Sequence, residues 1–203
     1  QGASARDKIL SATDKVGKLA GIPVVVNAVN ATNRSKAGRA LLEKTLGVHK
    51  DAPVPPYHSS TARKRLSRLL DAPAGDTQPA SGTTGKVALY TTCYCNRNHP
   101  VVNEDLVAVF EHNGIAMRMA SKEVCCGMPK LELGDLASVA KAKDVNVPVL
   151  AAMVDEGCDI VTPIPSCTLM FKQELPLMFP DDPEVIKVRD AMYDPFEYLM
   201  LRH

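Results

Sequence analysis

Apolar residues recur at helical spacing through the first 46 positions. Ile9, Ala12, Val16, Leu19 and Ala20 keep that spacing, and Gly21 supplies a stop signal. Pro23 suits the first turn of a following helix, and Ala37, Leu41 and Leu42 mark a third that Gly47 ends. Residues 4–46 are therefore expected to be helical. Asp51 to Pro56 form a Pro-rich extended connector. Residues 71–85 hold Pro, Gly, Ser and Thr with almost no apolar positions, and read as a flexible linker with a domain boundary near residue 85.

From Lys86 the pattern changes. Val87 to Tyr90 is a short apolar run suited to a buried parallel strand. A helix is expected over 104–113, with Asn103 as N-cap and Gly114 as stop. Ile115 to Met119 gives a second strand, and 135–145 a helix. Pro148 is expected to open a further helix that Gly157 ends, followed by a third strand over 158–162. Helices then dominate from Thr168, with Asp182-Pro183 as a capping pair. Strand, helix, strand, helix, strand in these lengths predicts a parallel, right-handed α/β unit.

Composition narrows the function classes. The chain has 203 residues, long enough for one large or two small domains, with 24 Lys+Arg against 23 Asp+Glu. A net charge of +1 argues against broad nucleic-acid binding. The cluster Arg63-Lys64-Arg65 with Arg68 reads as a solvated face or linker. Ile22 to Val29, the longest apolar run, is too short to span a bilayer. No secretory signal pattern is visible, which fits a cytoplasmic location and makes the two glycosylation sequons at Asn30 and Asn33 chance matches. A start at Gln1 is expected of a processed or excised piece.

The chemistry lies in the cysteines. Cys125 and Cys126 are adjacent, with Gly127 to turn the backbone and Pro129 to restrict the chain just beyond it. Cys93 lies just past the first predicted strand, Cys125-Cys126 after the second and Cys167 after the third. In an open parallel sheet those loops share the carboxyl edge, where α/β folds place their sites. Four thiolates there could bind tetrahedral zinc or an iron–sulfur cluster, and the long spacings favour the larger cluster. Cys95 could face the site, as a ligand or a neighbour. Cys158 begins the third strand, at the opposite end, and reads as a core residue. His99 and His112 are expected on the surface. Gly82 to Lys86 only faintly suggests a phosphate loop, because Val87 replaces the required hydroxyl residue and the run precedes a strand.

Thr-Thr-Cys93-Tyr-Cys-Asn, then Cys125-Cys126-Gly127-Met128-Pro129, then Pro165-Ser166-Cys167 resemble the motifs of the CCG-domain family of cysteine-rich iron–sulfur proteins. That family includes the cysteine-rich subunits of heterodisulfide reductase and of anaerobic glycerol-3-phosphate dehydrogenase. The resemblance covers residues 86–203 and implies a Rossmann-like three-layer α/β domain with a helical extension over 1–70. It implies that Cys93, Cys125, Cys126 and Cys167 bind an iron–sulfur cluster, 4Fe-4S in type, for electron transfer among flavin- or cluster-bearing subunits. Peripheral membrane association would arise through such partners. Ile164 stands where the motif usually has a further cysteine, so a five-thiolate cluster is not implied here. Nor is a second CCG domain or a ferredoxin run present. The alternatives are a thiol–disulfide oxidoreductase using Cys125 or Cys126, and a zinc-bound or cluster-free docking domain.

Overall fold

The structure, a computed structural model, describes residues 3–70, 72, 79–80 and 82–202. Most of the linker expected over 71–85 lies outside the described residues. The first part is helical: α1 (Ala5–Leu10), α2 (Thr13–Ala20), α3 (Pro23–Arg34), α4 (Lys36–Leu46) and the short α5 (Ala62–Arg65). Pro23 occupies the first turn of α3, and Gly47 ends α4 at φ +62°, a left-handed conformation that glycine adopts without strain. The Ser35 hydroxyl caps α4 by accepting from the Gly38 N–H at 3.0 Å.

The second part runs β1 (Lys86–Leu89), α6 (Cys93–Arg97), α7 (Pro100–His112), β2 (Ala116–Arg118), α8 (Met128–Leu131) and α9 (Leu136–Asp155). It continues with β3 (Asp159–Val161), α10 (Pro165–Leu169), α11 (Leu175–Met178), α12 (Pro183–Asp190), β4 (Met192–Tyr193) and α13 (Pro195–Arg202). Among the described residues one parallel sheet forms in the order β2-β1-β3-β4. Val87 stands opposite Met117 on one side and Asp159 on the other.

Alternation along β1 builds two cores. Val87 and Leu89 face α7 and α13, packing with Phe110, Met117, Val161 and Tyr198. Ala88 and Tyr90 face the other way, toward α9 and α12, with Val147, Leu150, Ile160, Phe171 and Val188. Both layers bury apolar side chains almost completely, so the sheet reads as continuous apolar runs. Helices on both faces make the fold a three-layer α/β sandwich. The edge beside β2 is covered by the 66–70 segment, where the Met119 N–H donates to the Leu69 carbonyl at 2.7 Å.

Four local expectations are corrected. Pro148 does not open a helix; it lies inside the 20-residue α9. Its missing N–H removes one backbone bond, but Val139, Asn146, Val147, Leu150, Ala151 and Met153 form one buried face across it, and that packing outweighs the break. Asn103 is not a cap, because α7 starts at Pro100. It is buried, and its side-chain amide donates to the Thr91 carbonyl at 3.0 Å. The strand β4 was not foreseen, since two residues carry no alternation. In the Arg63-Lys64-Arg65 cluster with Arg68, Lys64, Arg65 and Arg68 lie on an exposed face as expected, and Arg63 departs from it. Arg65 and Arg68 pair with Glu104 and Glu111 on α7, while Arg63 reaches inward.

Tyr198 joins the second core to the sheet. Its hydroxyl accepts from the Gly85 N–H at 3.0 Å and donates to Asp159 at 2.9 Å, and Asp159 also receives the Thr84 N–H and hydroxyl. The 82–86 run is thus a structural turn. Tyr198→Phe leaves a buried donor and a carboxylate short of a partner, and is expected to cost about 1–3 kcal/mol in urea denaturation. An unchanged midpoint would show that the network contributes nothing to stability.

Candidate metal centre

The order β2-β1-β3-β4 reverses direction between β1 and β3, the place where parallel α/β sheets open a crevice beyond their carboxyl ends. Three cysteine-bearing segments leave the sheet at that edge. Cys93 opens α6 directly after β1, Cys125-Cys126 follow β2, and Cys167 lies in α10 after β3. Cys93 and Cys167 thus sit in short helices, where loops had been expected.

The sulfurs meet in two pairs. Cys93 Sγ lies 3.7 Å from Cys125 Sγ, and Cys167 Sγ 3.3 Å from Cys126 Sγ. Cys125 and Cys126 are neighbours in the chain, so the two pairs adjoin. Cys126 and Cys167 are buried, whereas Cys93 and Cys125 are partly open. Among the described residues, no three or more His, Cys, Asp or Glu side chains form a group arranged to hold a single metal ion.

Sharing of protons divides the thiols. The Cys125 thiol is pushed down, because the Cys126 and Cys93 thiols donate to its sulfur and the Gly127 N–H adds to them. Cys93 is pushed up, first by its bond to Cys125 and then by burial. Cys126 is pushed up by Cys125 and Cys167, and by burial. A thiolate is therefore favoured at Cys125, while Cys93 and Cys126 hold their protons.

Backbone conformation and long-range polar contacts set these positions. Thr92, buried, has φ +59°, a conformation costly for a β-branched residue, and its hydroxyl accepts from the Cys95 N–H at 3.2 Å. Gly127 stands at φ +101° and lets the chain turn from Cys126 into α8. Asn146 on α9 holds the segment before that turn. Its side-chain carbonyl accepts from the Val124 N–H at 2.9 Å, and its amide donates to the Val124 and Cys125 carbonyls at 3.2 and 3.3 Å. The Tyr90 hydroxyl also donates to the Val124 carbonyl. Glu123 binds the Thr91 N–H and hydroxyl, and pairs with Arg63 at 3.2 Å. Burial pushes the Glu123 carboxyl up despite that guanidinium.

From the N-terminal helices, the Asp14 carboxylate accepts the Cys125 N–H at 2.6 Å. Asp14, Asn146 and Glu123 were not singled out from sequence, and Arg63 was read there only as part of a solvated face or linker. Each acts through a contact spanning more than 20 residues, which no local pattern encodes. The site opens on two hollows. One, about 560 Å³, is lined by Thr13, Asp14, Cys125, Lys15 and Lys130; the other, about 160 Å³, lies beside Cys93, Arg63 and Glu123.

The other candidates lie elsewhere. Cys95 is buried beside Thr92, outside the sulfur contacts, with its thiol pushed up to about 11 by burial. Cys158 is buried at the amino end of β3, next to Arg118. His99 and His112 are exposed, as expected.

Residues 87–172 match the family model of the cysteine-rich CCG domain. The chain is 28% identical over 174 residues to the C subunit of the anaerobic glycerol-3-phosphate dehydrogenase of Escherichia coli, covering 85% of this chain and 42% of that protein. It is 30% identical over 119 residues to lactate utilization protein A of Bacillus cytotoxicus, covering 57% of this chain and 48% of that one. An uncharacterized iron–sulfur protein of Methanocaldococcus jannaschii is 27% identical over 93 residues, 45% of this chain and 19% of that protein. The chain thus spans less than half the length of these curated relatives. No solved structure matches it.

The proton arrangement gives a direct expectation for the metal-free chain. At a pH about two units below the ordinary thiol value of ~8.5, iodoacetamide should alkylate Cys125 before any other cysteine. Peptide mass mapping over time reads the order. Earlier modification of Cys95 or Cys158 would contradict the assignment.

Proposed function

We propose that this chain, which carries a cysteine-rich CCG domain over residues 87–172, binds an iron–sulfur cluster and serves as an electron-transfer part of a larger oxidoreductase. The observation that carries this reading is the meeting of Cys93, Cys125, Cys126 and Cys167 as two sulfur pairs, joined at the adjacent Cys125 and Cys126, on the sheet's carboxyl edge. The donor set fits the group: it is all thiol, the ligand type that iron–sulfur clusters take. Our assignment is a 4Fe-4S cluster held by those four residues, in a domain over 86–203 with a helical extension over 1–70. A bound cluster would accept and donate single electrons at accessible potentials.

The chain's own residues would do the rest. Asn146, Tyr90 and Gly127 fix the Val124 to Cys126 backbone, and Thr92 and Glu123 fix the β1 loop. Cys126 and Cys167, buried in the first core, exclude water from the inner side. Cys93 and Cys125 sit beside the two hollows, an open route for an electron to or from a partner. The name of one relative, a dehydrogenase C subunit, supports placement among oxidoreductase subunits; a flavin- or cluster-bearing partner is part of our assignment. Val24, Phe196 and Met200, exposed at 87%, 77% and 80%, offer apolar surface on two helices for such contacts. No described helix is long and apolar enough to cross a membrane, so membrane association would come through partners.

The test is anaerobic reconstitution with ferrous iron and sulfide, followed by iron and acid-labile sulfide analysis. Wild type should retain both after gel filtration. Cys126→Ser should lower iron retention by on the order of 10-fold or more, and Cys158→Ala should leave it nearly unchanged. Equimolar zinc without sulfide would favour a docking domain. Disulfide exchange at Cys125 with no retained metal would favour a thiol–disulfide oxidoreductase.

A further inference from the structure

Residues before the CCG domain reach into the cysteine site. The Cys125 N–H, 111 positions along the chain from Asp14, donates to the Asp14 Oδ2 at 2.6 Å. Asp14 stands in the first turn of α2, and Thr13 beside it has a buried hydroxyl with no hydrogen-bond partner. The elbow between α1 and α2 is held down twice more. The Lys130 Nζ on α8 donates to the Ser11 hydroxyl at 2.9 Å. On the far side α2 rests on α6 so closely that a Cβ on Gly17 would collide with the Arg97 side chain. Arg97 in turn accepts at its carbonyl from the His58 N–H at 2.9 Å.

We infer that Asp14 is a positioning residue of the metal centre: by holding the Cys125 N–H it fixes the direction of the Cys125 sulfur. The N-terminal elbow is then a working part of a site whose cysteines all belong to the CCG domain. This inference rests on the reading of the four cysteines as metal ligands. The physical reason is rotational. Asn146 fixes the carbonyl of Cys125 but not its N–H, so one end of the residue is held from α9 and the other from α2. Held at one end only, the partly open Cys125 can turn its sulfur into the 560 Å³ hollow. A ligand free to turn away binds its metal more weakly, which is why partners of metal ligands commonly matter 10–100-fold in affinity. The N–H also matters electronically: tied to Asp14 it is not available to a sulfur, and such bonds to sulfur shift cluster potentials.

The experiment compares wild type with Asp14→Asn and Asp14→Ala in the full chain. Asparagine keeps an acceptor oxygen at the same reach; alanine removes it. After reconstitution, the readouts are iron release to a chelator, the electron paramagnetic resonance spectrum of the reduced cluster, and the melting temperature of the metal-free chain. Asp14→Ala should release iron on the order of 10-fold faster and show an altered spectrum, and Asp14→Asn should restore both. Cobalt(II), whose thiolate absorption reports sulfur geometry, is titrated into the same three chains as a metal that needs no sulfide. There, too, Asp14→Ala alone should bind more weakly. If wild type retains no iron and sulfide, the electron-transfer reading fails, and the cobalt series still decides the role of Asp14. The inference is overturned if Asp14→Ala matches wild type in release and spectrum, or if Asp14→Asn is as impaired as Asp14→Ala. It is likewise overturned if the loss follows a lowered melting temperature with no spectral change, since that is what a purely structural contact would give.

Discussion

Parallel pairing of β1 with both β2 and β3 is the constraint on which the rest depends. It sends the segments after three successive strands out of one edge, so residues 93, 125 and 167 arrive together although long stretches of chain separate them. Parallel strands need crossovers of a dozen or more residues, and those crossovers here are α7 and α9 with their loops. The order reverses at β1, which leaves the crevice beyond β1 and β3 open for side chains. An antiparallel sheet of the same strands would have scattered the cysteines over two edges.

Bringing four thiols into contact runs against the ordinary logic of a core. Two of them are buried, and ionising one makes it harder to ionise the next. Thr92 is held at positive φ beside them, and the buried carboxyl of Glu123 lies close by. These are strained or electrostatically costly features gathered at one edge. The two apolar layers on either side of the sheet, with Tyr90, Phe110, Phe171 and Tyr198 fully enclosed, supply the compensating stability. Strain concentrated at a site and packing elsewhere is the pattern expected where a centre must be preorganised.

Much of this was legible in the sequence for physical reasons. Short apolar runs bounded by Gly and polar residues marked the three main strands, and a cysteine after each marked the shared edge. Pro23 and Gly47 bounded helices because backbone geometry leaves them few other roles. What escaped depended on tertiary context. Pro148 inside α9 and the two-residue β4 are stabilised by packing that no local window contains. Arg63 read as a solvated cation, yet it turns inward to Glu123 and to the carbonyls of Ala120 and Ser121. Asp14 and Asn146 carry no local sequence signal; only the fold shows that they hold the two ends of Cys125.

The central claim, that the four converging cysteines hold an iron–sulfur cluster, is tested most directly by iron K-edge X-ray absorption on the reconstituted chain. The account predicts a first shell made of sulfur, with iron–iron scattering beyond it, and loss of that scattering when Cys126 is replaced by serine. A first shell of oxygen and nitrogen, or iron without an iron neighbour, would contradict it.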